Sequence, residues 1–412
     1  MKRIFILLFA FFICCVACNN KSTHYQQYIP PKNNKSASKA ANDSPTRVNV
    51  FVENSGSMLG YVRQGNEFDR AISNLLTELE LQEIVKGVNI HKYYINSKPF
   101  EQKKVSTAQF IKGLSIRNAT TFKGSTGTTS VCALLDTVFR RTPKNTLSIF
   151  VSDCIISPGK NDASKFIGAE KDAIKLLAKR QCENGKAVVV YRLVSSFNGK
   201  FYDCQDDVKQ INSTRPFFIW VIGDKSTIVN YLKKIPDSKL TEGGLKNRYV
   251  FFKVPSQTPK YVIQSTNEGV VVDASHIKKA KLNKDTKSLR IRVAVDMSSV
   301  SLLDKYLLDA KNYTVSNKYY KVVKIAKKAG NGTTHVFTID TYTQVTPTTL
   351  SISLKNQLPG WVKQYSIPNN RCSDVFSQLD KTYAFEDIMT GMYQGYNSTS
   401  GNLLSFKINI NQ

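Results

Sequence analysis

Two regimes of hydrophobic patterning divide the chain. From residue 47 to about 236, short continuous apolar runs alternate with segments whose apolar positions recur every three or four residues, the signature of buried strands alternating with amphipathic helices. Strand 47–53 precedes the helical pattern Phe68, Ala71, Ile72, Leu75, Leu76, Leu79. Val88–Ile95 follows as a strand, then a short helix near Thr107–Leu114, and a helix carrying Val131, Ala133, Leu134, Leu135, Val138 and Phe139. Strand 147–152 leads to helix 163–181, strand Ala187–Val194, a crossing loop around 197–213, strand Phe217–Ile222 and helix 225–234. Such repetition predicts an α/β fold, a doubly wound and mainly parallel sheet of Rossmann-like type covered on both faces.

Beyond about 240 the period shortens to two. Tyr249–Val254, Gly269–Val272, Leu289–Val295, Tyr319–Ile325, Thr334–Ile339, Leu350–Leu354 and Leu404–Ile410 are β-branched and aromatic runs, while only Leu302–Leu308 and Ala384–Gly395 read as helical. A mainly β C-terminal region, a sandwich, is the expectation. The predicted organisation is 47–237 for the α/β domain and 240–412 for the β domain.

The amino-terminal segment belongs to neither. Met1-Lys-Arg followed by the apolar stretch Ile4–Ile13 is too short to span a bilayer and has the form of a secretory signal. It ends in Cys15-Val-Ala-Cys18, which resembles a bacterial lipobox, with Cys15 where a leucine is usual. The resemblance implies cleavage of a signal peptide 1–17 and lipid modification of Cys18. Acyl chains there would anchor the protein to a membrane without crossing it. Residues 18–46 are polar, small and unpatterned, a flexible tether. No acidic residue occurs between Cys18 and Asp43, which favours a periplasm-facing position in the cell envelope.

Cysteine usage fits an oxidising compartment. Besides Cys18, the mature chain keeps Cys132, Cys154, Cys182, Cys204 and Cys372. Cys132 with Cys154, or Cys182 with Cys204, are the candidate bridges, with reduced buried thiols the alternative. The formal net charge of +27 favours acidic partners. Nucleic acid is set aside for an exported protein without a helix-turn-helix or zinc finger. The densest basic run, Lys278–Lys287, continues into Arg290 and Arg292 in strand-like alternation.

Candidate chemistry concentrates where the first strand ends. Glu53, Ser55 and Ser57 offer three hard oxygens within five residues, the donor type that Mg²⁺, Mn²⁺ or Ca²⁺ requires. Two further segments offer the same chemistry: the hydroxyl-rich loop Gly124–Ser130, and the strand Leu147-Ser-Ile-Phe-Val-Ser-Asp153. Together these elements resemble the metal-ion-dependent adhesion site (MIDAS) of the von Willebrand factor A (vWA) domain. That family carries Asp-x-Ser-x-Ser after its first strand, a threonine in a loop before a helix, and Thr-Asp-Gly after a later strand. Ser55 and Ser57 match the serines and Asp153 the later aspartate. Thr128 matches the threonine, standing five residues before Ala133-Leu134, with Thr126 the fallback. Glu53 replaces the first aspartate, keeping the charge and adding a methylene, and Ser152-Asp153-Cys154 replaces Thr-Asp-Gly.

The resemblance implies a bound Mg²⁺, Mn²⁺ or Ca²⁺ and a non-enzymatic binding function, in which an acidic protein partner supplies a carboxylate to the metal. A metal-free vWA scaffold is the alternative. A hydrolase with Ser55 or Ser57 as nucleophile is the third reading, and no Gly-x-Ser-x-Gly elbow surrounds either serine.

Overall fold

In the computed structural model the described residues are 44–84, 89–114, 130–159, 162–253, 258–298, 307–330, 332–343, 345–397 and 402–412. The signal segment, Cys18, Thr126, Thr128 and most of Leu302–Leu308 lie outside them. The protein is a mixed α/β molecule: a seven-stranded sheet, and separate, largely antiparallel sheets in its C-terminal part.

The first sheet takes the order β3-β2-β1-β4-β6-β5-β7. Its parallel part is built on β1 (Arg47–Glu53), hydrogen-bonded to β2 (Ile90–Ile95) on one side and β4 (Thr146–Ser152) on the other. Val48, Val50, Phe51, Leu147, Ile149 and Phe150 are buried, which is why these runs are apolar without alternation. The edge strand β3 (Pro99–Glu101) is antiparallel to β2. Helix α1 (Glu67–Leu81) starts at Asn66, whose side chain accepts the Asp69 amide, with Glu67 and Asp69 favourable to its positive end. It buries the predicted stripe Phe68 to Leu79. Helix α2 spans Thr107–Leu114.

Past β4 the sheet departs from the predicted parallel winding. Helix α3 (Val131–Arg140) precedes β4 and helix α4 (Ala163–Glu183) follows it, but β5 (Lys186–Tyr202) and β6 (Val208–Asp224) form one long antiparallel hairpin. The supposed crossing loop 197–213 is therefore mostly strand. Its polar residues are the outward face of the hairpin's distal half, where Phe197 and Phe201 point inward and Asn198 and Lys200 outward. The turn is made by Asp203, whose side chain accepts the amides of Gln205 and Asp207, while Asp206 takes a positive φ of 65°. Pro216, expected at the start of a strand, sits within β6 opposite Val194. It is tolerated there because β4 pairs with β6 only from Phe218 onward, and the Pro216 carbonyl accepts a hydrogen bond from Tyr61 instead. Helix α5 (Lys225–Lys234) follows.

The boundary near residues 237–240 does not separate the hydrophobic cores. Strand β7 (Leu245–Phe251) pairs with β5 in the first sheet. Residues 361–396, placed by sequence in the β domain, also pack into the first core through Trp361, Phe385, Met389 and Met392. Phe385 stacks on Phe218 at 4.0 Å. Helix α6 (Gly360–Gln364) and helix α7 (Phe385–Tyr396) frame this segment. Gly391 and Gly395 let α7 approach α4 closely; a Cβ at Gly395 would stand 2.5 Å from the Lys175 carbonyl. Two buried arginines fix the intervening chain, Arg192 donating to the Asp380 carbonyl and Arg215 to that of Leu379.

Of the remaining C-terminal strands, β9 (Val270–Val271), β10 (His276–Lys278), β12 (Tyr313–Val315), β15 (Thr348–Lys355) and β18 (Asn402–Ile410) form a five-stranded sheet in the order β12-β15-β18-β10-β9, β16 (Ser366–Ile367) pairs with β17 (Thr382–Tyr383), and a four-stranded sheet has the order β13-β14-β11-β8. They share a second core containing Ile291, Val293, Phe337, Leu350, Ile352 and Phe406, and Phe337 and Phe406 meet at 5.5 Å. The strands used below are β8 (Tyr261–Thr266), β11 (Leu289–Val295), β13 (Tyr320–Gly330) and β14 (Thr333–Thr341).

A close backbone approach joins the first-strand loop to the hairpin. A Cβ at Gly199 would lie 2.7 Å from the Cα of Gly60, a backbone atom that cannot swing aside. Gly199→Ala should destabilise the protein by about 1–3 kcal/mol through overpacking. Gly168→Ala, at an α4 position with open space around it, should instead be neutral or slightly stabilising. Equal urea midpoints for the two variants would contradict the close approach.

Candidate functional site

Because β1 and β4 are parallel neighbours, Glu53 and Asp153 emerge side by side at the carboxyl end of the sheet, where open α/β folds place their ligands. The chain leaves β1 through Asn54, whose amide donates to the Ile95 carbonyl and whose side-chain oxygen accepts from Asn96 at 2.9 Å. Ser55 then starts a 3₁₀ turn over Gly56–Gly60, which carries Ser57 back toward the strand ends. The Ser55 and Ser57 hydroxyl oxygens stand 3.1 Å apart.

Ser152 orients Glu53. Its hydroxyl donates to Glu53 Oε2 at 2.5 Å and accepts the Cys154 amide at 2.8 Å, so both its roles are occupied. Cys154 reaches that position with a φ of 53°, in the left-handed region that favours glycine. Asp153 Oδ1 accepts the Ile155 amide at 3.2 Å. Its Oδ2 is buried without a hydrogen-bond partner among the described residues.

The electrostatics follow from burial of two acids together. Removal from water, and then the neighbouring Asp153 charge, push Glu53 up to about 8, against the pull of hydrogen bonds from Ser152 and Ser55. Asp153 is also raised, by burial first, while the nearby Ser57 hydroxyl, the Ile155 amide and the positive charge of Arg215 pull it back. Arg215 is itself buried, with its guanidinium 3.7 Å from the centre of the Phe201 ring. Such a pair is under-compensated unless it holds a proton or a cation.

The donor set fits a hard divalent ion: two hydroxyls and two carboxylates, one of them with an unpartnered oxygen. Ser55, Ser57, Glu53 and Asp153 would hold it, and it would neutralise the paired carboxylates and supply a Lewis-acidic point of attachment. The four residues are only 7, 8, 6 and 1 % exposed. The distal hairpin lies against the same loop, with Tyr202 beside Gly56 and Phe197 against Gly60. Ser157, beyond Asp153, donates to the Asp203 carbonyl at the hairpin turn.

Four of the five sequence-selected ligands thus converge, and Thr128 falls outside the described residues. At the edge of that loop Ser130 caps α3 by accepting the Ala133 amide and donates to Glu170 at 2.6 Å. Sequence reading missed the parts played by Ser152, Arg215 and Tyr202. Ser152 was legible as the hydroxyl beside Asp153, and Arg215 as a lone charge heading an apolar run; nothing local marks Tyr202.

The cysteine expectations are corrected. Cys204 at the hairpin turn is disulfide-bonded to Cys372, while Cys132, Cys154 and Cys182 are free. Cys154 and Cys182 are buried free thiols, the latter facing the Tyr396 carbonyl, so neither candidate bridge forms and the alternative of reduced buried thiols holds for these two. Asp203, Cys204 and Cys372 lie close together, but the disulfide and the turn amides already use these groups.

Comparison with protein-family profiles, curated proteins and solved structures gives no match.

Proposed function

We propose that this chain is a membrane-tethered, non-enzymatic binding or scaffold protein of vWA type, whose Glu53–Asp153 centre takes up a divalent cation. The observation that supports it is the juxtaposition of two buried carboxylates and two hydroxyls, with Asp153 Oδ2 left unpartnered. Cys18 would carry the lipid anchor, with the protein facing the periplasm. An acidic partner carboxylate could approach the ion only if the covering hairpin withdrew, so in the closed form the cation acts inside the protein.

A second reading is favoured by Glu53 itself. A carboxyl pushed up to about 8 can keep a proton at neutral pH, and a protonated centre would be a metal-free scaffold. The two readings part on titration of the full chain with Mg²⁺, Mn²⁺ and Ca²⁺ while its thermal stability is followed. A ligand that binds only the folded state at a hundredfold excess over its Kd adds about 2.7 kcal/mol. That shift is expected in the native chain and absent in Ser55→Ala/Ser57→Ala. No shift with any of the three ions would leave the metal-free scaffold.

A further inference from the structure

Far along the chain from the carboxylate centre, the outer face of the four-stranded sheet carries a second recognition surface. Register places Lys321, Asp340 and Arg290 in one cross-strand row, and Lys324, Thr338, Arg292 and Ser265 in the next. The side chains opposite to these, from Ile291, Val293, Phe337 and Ile339, enter the second core, so the rows face outward. Lys321, Lys324, Arg290 and Arg292 are exposed in the whole chain. They form a grid about 10 Å across two strand spacings and about 7 Å along each strand.

The acid within the grid is already neutralised. Asp340 is buried, and Arg290 grips it through two hydrogen bonds of 2.9 and 2.7 Å. The basic run singled out in the sequence joins the same place: exposed Lys284 and Lys287 lead into the start of β11, with Asp285 as the acid between them. That start adjoins the end of β14 and the beginning of β13, because Leu289, Thr341 and Tyr320 share one row. There Tyr342 and Tyr319 stand out at 64 % and 51 % exposure, the former donating to Asp340.

Cations bordered by exposed tyrosines match a bilayer interface, where headgroup phosphates meet the lysines and arginines and the phenol rings lie at headgroup depth. We infer that the outer face of β11, β13 and β14, centred on Arg292, Lys321 and Lys324, docks on an anionic phospholipid surface. An acidic protein or polysaccharide would satisfy the same charges and would also pack on the phenols; the membrane is favoured because the lipid anchor proposed at Cys18, on which this step rests, would hold this face beside a bilayer.

The test is co-sedimentation of the full chain with vesicles of phosphatidylcholine, alone or mixed with phosphatidylglycerol, at low and raised salt. A lipid anchor acts on both compositions alike, so the difference between them isolates the face. Preference for phosphatidylglycerol, weakened by salt, is expected. Arg292→Gln/Lys321→Gln/Lys324→Gln, which leaves the Arg290–Asp340 pair intact, should reduce that preference roughly a hundredfold, at about fivefold per cation. Lys165→Gln/Lys175→Gln/Lys246→Gln removes three exposed lysines elsewhere and should keep it. Equal loss in both variants would reduce the effect to net charge and overturn the inference. So would native protein that ignores phosphatidylglycerol, including one that binds an immobilised acidic polysaccharide instead.

Discussion

Cation-free protein should lose stability steadily as pH rises from about 4.5 to about 8, and Glu53→Gln should remove most of that slope. The sign follows from Glu53, whose carboxyl is raised from 4.5 to about 8 by burial and then by the Asp153 charge. Between those values the folded state holds a proton that the unfolded chain has released, so raising the pH favours unfolding. The associated stability is complete below about 4.5 and gone above about 8. A change of this size corresponds to roughly 3–5 kcal/mol, and Asp153, raised by the same desolvation, acts in the same direction. A bound cation competes with the proton, so its affinity should grow with pH and its presence should flatten the slope. Urea midpoints across this range, with chelator and then with saturating Mg²⁺, measure both effects. A native profile as flat as that of Glu53→Gln would mean that the two carboxylates do not share a buried centre.

The strands that carry this centre were legible because burial on both faces leaves no choice of residue. Val48–Val52 and Leu147–Val151 could be little else than central strands, and a carboxylate at the end of each fixed where the chemistry stands. The β5–β6 hairpin was obscured because its distal half is polar on one face. Residues such as Asn198, Lys200 and Gln210 read as loop when only their outward side is considered. Residues 361–396 were misplaced for a different reason. Local pattern gives the element, here helix Phe385–Tyr396, but not which of two apolar cores receives it. Long-range partners such as Arg192 with the Asp380 carbonyl, or Cys204 with Cys372, leave no local trace.

Loss of the Cys204–Cys372 disulfide should lower stability by several kcal/mol, on the order of what native disulfides contribute. Cys204 and Cys372 are 168 positions apart, so the bond closes a very long loop in the unfolded chain. Chain-entropy reasoning gives about 5 kcal/mol for such a closure, and measured losses on removing native disulfides are about 2–5 kcal/mol. Cys204→Ser/Cys372→Ser should therefore unfold at clearly lower urea concentration than the native chain, and reduction of the native chain should move it to the same midpoint. The consequence reaches the carboxylate centre. The bond ties the hairpin turn, which receives Ser157 and holds Tyr202 beside Gly56, to the segment that Arg215 grips at Leu379. Cutting it leaves those contacts in place but removes the covalent restraint on the cover. Amides of residues 203–207 should then exchange hydrogen faster than those of β1 and β4, whose parallel pairing does not depend on the bond. If exchange at the turn were unchanged while global stability fell, the disulfide would act on the unfolded chain alone. The cover would then be held by packing of Phe197 against Tyr61, with Phe201 edge-on to Phe197.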